Sequence, residues 1–401
     1  MALSQEDLDW VDSLIESEIR PLEAARFGPQ VRAQLIAGPG ARVRERGLWA
    51  PHLPISVGGA GLSYEELTAL FERLGRCPLA PIAFGSWAPD SVNALLLAEA
   101  GSPEQRKRWL DPLVAGRVTS AFAMTEPGAG SDPTLFTSTA VPDGDEWILN
   151  GHKWWISNAT NADLLIAVFV TDPDATPHAR ASIFLVPADS PGVEVVRDIA
   201  HLANPTADES AIERPAEVRF TDVRVPRDAL VGARGDGFRL AQVRLAMARL
   251  QHCMRWIGQA EKALQLMCDR AATRFAHGSV LAEKANIQQY IAEAATGIHT
   301  ARLLVTDTAR RIDASGTRAA QAEIAMCKVV VAQLLVRTVD RAIQVHGAYG
   351  LSTDLPLEEM ARQSRAAQIL DGPDEVHNMV ISRLTVRRFG AEATNQGAHP
   401  R

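Results

Sequence analysis

Apolar residues recur at three- and four-residue spacing through the first 120 positions, which predicts helices. Leu67, Leu70, Phe71 and Leu74 form one such stripe behind Ser63-Tyr-Glu-Glu66, a capping-box sequence in which the Ser63 hydroxyl accepts a backbone N–H and Glu66 reaches back. Ser102-Pro103-Glu104-Gln105 reads as a second helix start, with Ser as cap and Pro in the first turn, where its missing N–H costs nothing. Trp109, Leu110 and Leu113 supply its apolar face. From 121 to 230 the texture changes to short β-type runs: Trp147 to Leu149, Leu164 to Val170, Ile183 to Val186, Val193 to Val196 and Val218 to Val225. Clusters such as Pro142-Asp-Gly-Asp and Ser190-Pro-Gly separate them, which predicts a small all-β domain. Residues 200–216 form a polar loop long enough to point to function or mobility. From 231 to 390 helix returns in long runs: 237–272, 282–314, 318–346, and a last helix from about Asp374 to Phe389. Four long helices with short connections predict an antiparallel bundle. The expected domains are 1–120 (helical), 121–232 (β) and 233–390 (helical bundle), with 391–401 a frayed tail.

The chain of 401 residues is 46% hydrophobic and 22% charged, an ordinary globular composition that excludes a mostly disordered chain. No stretch approaches about 18 uncharged apolar residues, so no membrane span is expected. The start is acidic almost at once and lacks the order of a secretory signal or a transit peptide. The four cysteines (Cys77, Cys253, Cys268, Cys327) form no CxxC pair. That argues against a zinc ribbon or a disulfide framework and fits a reducing compartment, so no metal and a cytoplasmic location are expected. The charge is uneven. Residues 1–230 hold 19 basic against 32 acidic side chains, and 231–401 hold 22 against 16. A basic C-terminal part can meet phosphates of a cofactor, of a CoA-like substrate or of a nucleic acid, or can serve subunit contacts. Only Lys107, Lys153, Lys262, Lys284 and Lys328 are lysines.

Four segments can carry chemistry. In Ala121-Phe-Ala-Met-Thr-Glu-Pro-Gly-Ala-Gly-Ser-Asp132, Gly128 and Gly130 let the backbone turn tightly. Exposed N–H groups with the Thr125 and Ser131 hydroxyls can then ring an anion or a heterocycle edge; the alternative is an ordinary loop. In Asn150-Gly-His-Lys-Trp-Trp-Ile-Ser-Asn158, strand alternation puts adjacent tryptophans on opposite faces. Trp155 and Ser157 would then make a flat wall beside a hydroxyl; the alternative is two core tryptophans. Gln344-Val-His-Gly-Ala-Tyr-Gly-Leu351 reads as a helix stop with Gly347 as C-cap. In Gln368-Ile-Leu-Asp-Gly-Pro-Asp-Glu-Val-His377, Asp371 is either a cap for the last helix or a catalytic base.

In this order and spacing, and with Pro54 to Leu62 and Gly101 to Gly116, the four segments resemble the acyl-CoA dehydrogenase family over almost the whole chain. The runs His252-Cys-Met-Arg255 and Asp371 to His377 are similar to a branch in which some members carry a further kinase domain, for which this chain leaves no room. The resemblance implies an α+β multidomain fold: an N-terminal helical domain, a middle β-barrel-like domain and a C-terminal four-helix bundle, assembled as a tetramer or dimer. It implies FAD, lined by Phe122, Met124, Thr125, Gly130 and Ser131, with Trp155, Ile156 and Ser157 flanking the isoalloxazine. Arg274, His277, Gln344, Gly347 and Ala348 would reach the FAD of a neighbouring subunit; His277 stands where the family usually has Phe. Ser131, Arg249 and Gly372 would contact the acyl-CoA substrate. The implied reaction is α,β-dehydrogenation of the thioester, with Asp371 taking the α-proton and the flavin taking the hydride. An electron-transferring flavoprotein is the implied acceptor. Most relatives place a Glu where this chain has Asp371, and the other position used for the base is here Ala248. The Asp also keeps a nitroalkane-oxidase-like reaction open, and the basic C-terminal part a nucleic-acid-associated flavoprotein.

Overall fold

The computed structural model describes residues 3–24, 28–212 and 214–396. The chain divides into two compact units: residues up to 63 with 77–248, and residues 64–76 with 249 onward. Helices α1 (Gln5–Leu14), α2 (Pro29–Ala37) and α3 (Pro39–Glu45) precede α4 (Tyr64–Leu74). The helices α5 (Ala80–Ala83), α6 (Asp90–Ala100), α7 (Pro103–Gln105) and α8 (Asp111–Val114) follow it. The cap expected at Ser102 is a full capping box: the Ser102 hydroxyl accepts the Gln105 N–H at 3.2 Å, and the Ser102 N–H donates to Gln105 Oε1 at 3.0 Å. Gln105 Nε2 also donates to the carbonyls of Asp228 and Leu230, at 2.6 and 2.9 Å, and so joins the helical and β parts of the first unit.

The β part contains β1 (Ser120–Ala123), β2 (Thr139–Asp143), β3 (Glu146–Ser157), β4 (Leu164–Val170), β5 (Ala181–Pro187), β6 (Val193–Asp198), β7 (Pro215–Pro226) and β8 (Leu230–Val231). They run in the order β6-β7-β3-β2-β4-β5-β8, with β1 parallel to β4. Among the described residues this is an open mixed sheet, not the barrel-like closure expected: β6 and β8 end the path without pairing to each other. The unbroken apolar run of β4 is buried at all seven positions. Phe169 meets Phe184 and Phe220 edge-on, and Phe184 meets Trp147, at centroid distances of 5.2–6.2 Å. These aromatic contacts sit in the sheet core with Leu149, Val218 and Val223.

Helix α9 (Gly237–Thr273) carries the chain from the first unit into the second. It is followed by α10 (Ala285–Ala319), broken at Gly316, α11 (Gln321–His346), α12 (Leu357–Ser364) and α13 (Asp374–Gln396). The last helix thus continues past Phe389, and six residues of the expected frayed tail are helical; 397–401 lie outside the described residues. Helix α4 packs in this unit rather than with its sequence neighbours. Its first amides, Tyr64 and Glu65, donate to the Asp313 carboxylate at 2.8 and 3.0 Å. Arg302 of α10 pairs with Glu72 and with Glu261 of α9. The crossing of α4 and α9 is backbone to backbone: a Cβ on Gly258 would lie 1.9 Å from the Glu72 carbonyl oxygen, and one on Gly75 2.1 Å from that of Arg255. Among the described residues no single helix is long and apolar enough to cross a membrane.

Helix propensity alone makes Gly258→Ala stabilising by up to about 1 kcal/mol. The close crossing reverses the sign: overpacking should cost about 1–3 kcal/mol. Urea unfolding of the variant measures which term wins, and a gain in stability would contradict the crossing.

Candidate active site

Lys153 on β3 has no exposed surface, and a buried ammonium requires a partner. Its Nζ donates to Glu126 Oε1 at 2.8 Å and to the Met124 carbonyl at 3.1 Å. Glu126, also buried, accepts the Thr137 N–H and hydroxyl (2.7 and 2.9 Å) and the Ser138 N–H (3.1 Å). Phe136 and Phe169 present ring faces to the ammonium at 4.7 and 5.4 Å. Burial pulls the Lys153 pKa down to about 8 while Glu126 opposes the shift. Burial pushes the Glu126 carboxyl up, but the Lys153 charge and the donated hydrogen bonds outweigh it and hold it below its usual range. This pair ties both sides of the 124–131 segment to the sheet. Neither residue was singled out from the sequence; an isolated lysine inside a strand, in a chain with five, was the available signal.

The Trp154 N–H donates to the Thr125 carbonyl at 3.0 Å and brings the first two predicted segments together. Between Lys153 and Ile156 the pairing of β3 with β7 slips by a bulge, and Trp155 takes a left-handed backbone, φ 57°. A bulge re-aims side chains, so simple alternation fails here. Neither adjacent tryptophan is a core residue; the core tryptophan is Trp147. The Trp155 indole is 46% exposed and meets Trp154 and His201 edge-on, and Ser157 is exposed beyond it. Ile156 is buried in the sheet core between them, so its side chain does not share the exposed face of Trp155 and Ser157. Phe122 lies half-buried with the Arg244 guanidinium 4.1 Å over its ring. Gly130 has φ 55°, and nothing within 4 Å would meet a Cβ on Gly128 or Gly130. Among the described residues no hydrogen bond engages the hydroxyls of Thr125, Ser131 or Ser157. Open backbone, free hydroxyls and an exposed indole are a donor set that suits the polar edge and flat face of a flavin.

The 200–216 loop is cross-linked. Asn204 bonds both the N–H and the carbonyl of Asp208, and Arg214 pairs with Asp198. Glu213 lies outside the described residues.

In the second unit Asp371 lies three residues before α13 and is not its cap. It adopts φ 55°, followed by Gly372 at φ 103°. Two cations hold this strained turn by its backbone. Arg249 Nε donates to the Asp371 carbonyl at 2.8 Å. Lys328, fully buried over Trp256, donates to the carbonyls of Ala367 (2.5 Å) and Gly372 (3.5 Å). Burial lowers the pKa of both cations. His377 packs against Gly372; burial, with Arg249 and Lys328, pulls its pKa down to about 4 and keeps it neutral. Asp371 Oδ2 is enclosed and, among the described residues, accepts no hydrogen bond; His252 Nε2 lies 3.5 Å away. The structure therefore brings Arg249, Asp371 and Gly372 together.

Arg274 is exposed at the end of α9, before a hairpin of β9 (Phe275–Ala276) and β10 (Ser279–Val280). His277 and Gly278 are the turn residues, φ 49° and 85°, and the exposed aromatic is Phe275. Gln344, Gly347 and Ala348 are exposed at the C-terminal end of α11, with Gly347 as the expected cap. His346 is buried beside them, its Nδ1–H donating to the Ala342 carbonyl at 2.8 Å.

Lys153→Met should cost about 3–5 kcal/mol in urea unfolding, because it leaves Glu126 charged and buried. Adding Glu126→Gln should recover much of that loss. The depressed Glu126 pKa stabilises the wild type above the ordinary carboxylate range, and this contribution disappears as pH falls through the folded-state value. The double variant should lack that part of the acid limb; equal acid sensitivity would contradict the pairing.

Comparison with known proteins places these features in one family. Models of the N-terminal, middle and C-terminal domains of acyl-CoA dehydrogenases match residues 5–117, 121–222 and 235–385. The chain is 41% identical to FadE2 of Mycobacterium tuberculosis, named for acyl-CoA dehydrogenase, over 86% of this chain and 84% of that protein. It is 38% identical to acyl-CoA dehydrogenase family member 10 of Mus musculus over 93% of this chain, but spans only 36% of that relative's length. A solved acyl-CoA dehydrogenase-type structure from Mycobacterium abscessus superposes with a TM-score of 0.89 at 37% identity, covering 97% of this chain and all of that one. The chain therefore belongs to the acyl-CoA dehydrogenase family of FAD-dependent oxidoreductases.

Proposed function

We propose that this protein removes an α-proton and a β-hydride from an acyl-CoA thioester, with Asp371 as the base. The observation that carries the reading is the Asp371 carboxylate itself. It stands on a turn held from two sides by Arg249 and Lys328. Its side chain keeps 19% of its surface open while Oδ2 is enclosed, so its accessible side lies away from Oδ2. An α-proton is too weakly acidic for water at neutral pH, and a positioned carboxylate is the group that takes it. Asp is one methylene shorter than Glu, and a reach error on the order of 1 Å can cost about 100-fold. Fixing the backbone of the turn limits that error.

Bound FAD supplies the hydride acceptor. Thr125, Gly130, Ser131 and Ser157 would hold its polar edge, with Phe122 and Met124 lining the same segment and Trp155 giving a flat wall. Arg274, Gln344, Gly347 and Ala348 would come from a neighbouring subunit, with Phe275 giving the aromatic surface expected of His277. Ser131, Arg249 and Gly372 would contact the acyl-CoA. An electron-transferring flavoprotein would accept the electrons. The names of the relatives, carried at 38–41% identity, support this substrate class.

Asp371→Asn should slow anaerobic flavin bleaching by acyl-CoA about 10²–10⁴-fold. FAD content and melting temperature should hold, since Asn tolerates positive φ. Near wild-type bleaching would place the base elsewhere.

Phe275, Leu351, Met379, Val386 and Phe389 of the second unit are each 57–70% exposed, an apolar set that a neighbouring subunit would cover. Sedimentation should give a dimer or tetramer; a lone 43.4 kDa species would contradict a cofactor site completed by a second subunit.

A further inference from the structure

His252 is one turn along α9 from Arg249, which holds the Asp371 carbonyl, and faces the Asp371 carboxylate. Its ring stacks on Trp256 at 5.3 Å with an interplanar angle of 21°, so its plane is fixed. Its two nitrogens face different groups. Nε2 lies 3.5 Å from Asp371 Oδ2. Nδ1 lies 3.3 Å from Nη2 of Arg255, which is buried. A guanidinium only donates, so Nδ1 is the acceptor and the neutral ring carries its proton on Nε2. Protonating Nδ1 would set a second donor and a second positive charge against Arg255. The other charged or titratable groups packed about the turn are Arg249 and Cys253 of α9, Cys327 and Lys328 of α11, and Asp374 and His377 of α13. The ring stack and the Arg255 contact together aim one N–H at Oδ2.

The geometry points to His252 as a positioning residue for Asp371: locked by Arg255 in one tautomer, it presents Nε2–H to Oδ2 and leaves the other carboxylate oxygen to take the proton. The inference rests on the reading of Asp371 as the base. At 3.5 Å the contact is longer than a formed hydrogen bond, and catalytic hydrogen bonds commonly tighten when substrate binds. The donor fixes the rotamer of the short Asp side chain, so that its free oxygen meets the α-proton in one place.

The test compares His252→Phe, which keeps an aromatic ring on Trp256 but has no donor, with His252→Gln, whose amide nitrogen stands as many bonds from Cβ as Nε2. Anaerobic flavin bleaching by the best acyl-CoA is followed, with FAD content, melting temperature and acyl-CoA Kd measured alongside. His252→Phe should bleach about tenfold more slowly, the rate equivalent of one hydrogen bond to a charged group, with Kd unchanged. His252→Gln should restore the rate. A His252→Phe variant with wild-type rate would overturn the inference, as would a His252→Gln variant no better than Phe. If His252→Phe loses FAD or fails to fold, His252→Gln alone decides: a wild-type rate supports the donor, and a slow rate opposes it. Asp371→Asn separates the two levels. If it bleaches normally, the base reading fails; if it is inactive while His252→Phe is not, only the role of His252 fails.

Discussion

A lysine with no exposed surface has to be paired, and the pairing of Lys153 with Glu126 decides where the 124–131 segment can lie. Glu126 accepts from Thr137 and Ser138, beyond the segment, and Lys153 also donates to the Met124 carbonyl at its near end. The turn between them is therefore anchored at both ends, while its glycines and hydroxyls remain open. Two residues after Lys153 the strand bulges, and Trp155 is turned outward beside that open turn. One buried charge pair thus fixes the base of a surface that the cofactor would contact.

The second unit uses cations in a related way. Lys328 is also fully buried, and with Arg249 it holds a turn in which Asp371 takes φ 55°, a conformation costly for a residue other than glycine. Two of the five lysines are therefore internal struts, one in each unit, whereas arginines make most of the ion pairs. The turn bears the carboxylate proposed as base, and α9, which supplies Arg249, His252 and Arg255, is itself fixed against α4 by contacts only glycine permits at Gly75 and Gly258. Placement of a short base within a fraction of an ångström depends on such rigid support.

Where local periodicity sets structure, it could be read directly: the apolar run Leu164 to Val170, the cap at Ser102 and the helix stop at Gly347 all stand where expected. Features set by pairing across the chain could not. The bulge at Trp155 follows from the register of β3 on β7, so strand alternation could not show that Trp154 also stays out of the sheet core, although Trp155 and Ser157 share the exposed face it suggested. The membership of α4 in the second unit depends on glycine contacts far apart in sequence. Sheet closure is likewise not visible in strand count, and the sheet is open. Of the candidate site, the Arg249–Asp371–Gly372 cluster was legible through family resemblance, and the left-handed turn removes the capping role that composition favoured for Asp371. Lys153 and Glu126 carry no local pattern that marks them as a pair, and the run His252-Cys-Met-Arg255 marks a resemblance without giving His252 a role.

The most direct measurement is anaerobic mixing of the FAD-loaded protein with a panel of acyl-CoA thioesters and, separately, nitroalkanes, following flavin absorbance and identifying the product. Bleaching by at least one acyl-CoA, with an equal amount of the α,β-unsaturated thioester formed, is the expected result. Bleaching by nitroalkanes alone, or by no thioester in the panel, would contradict thioester dehydrogenation.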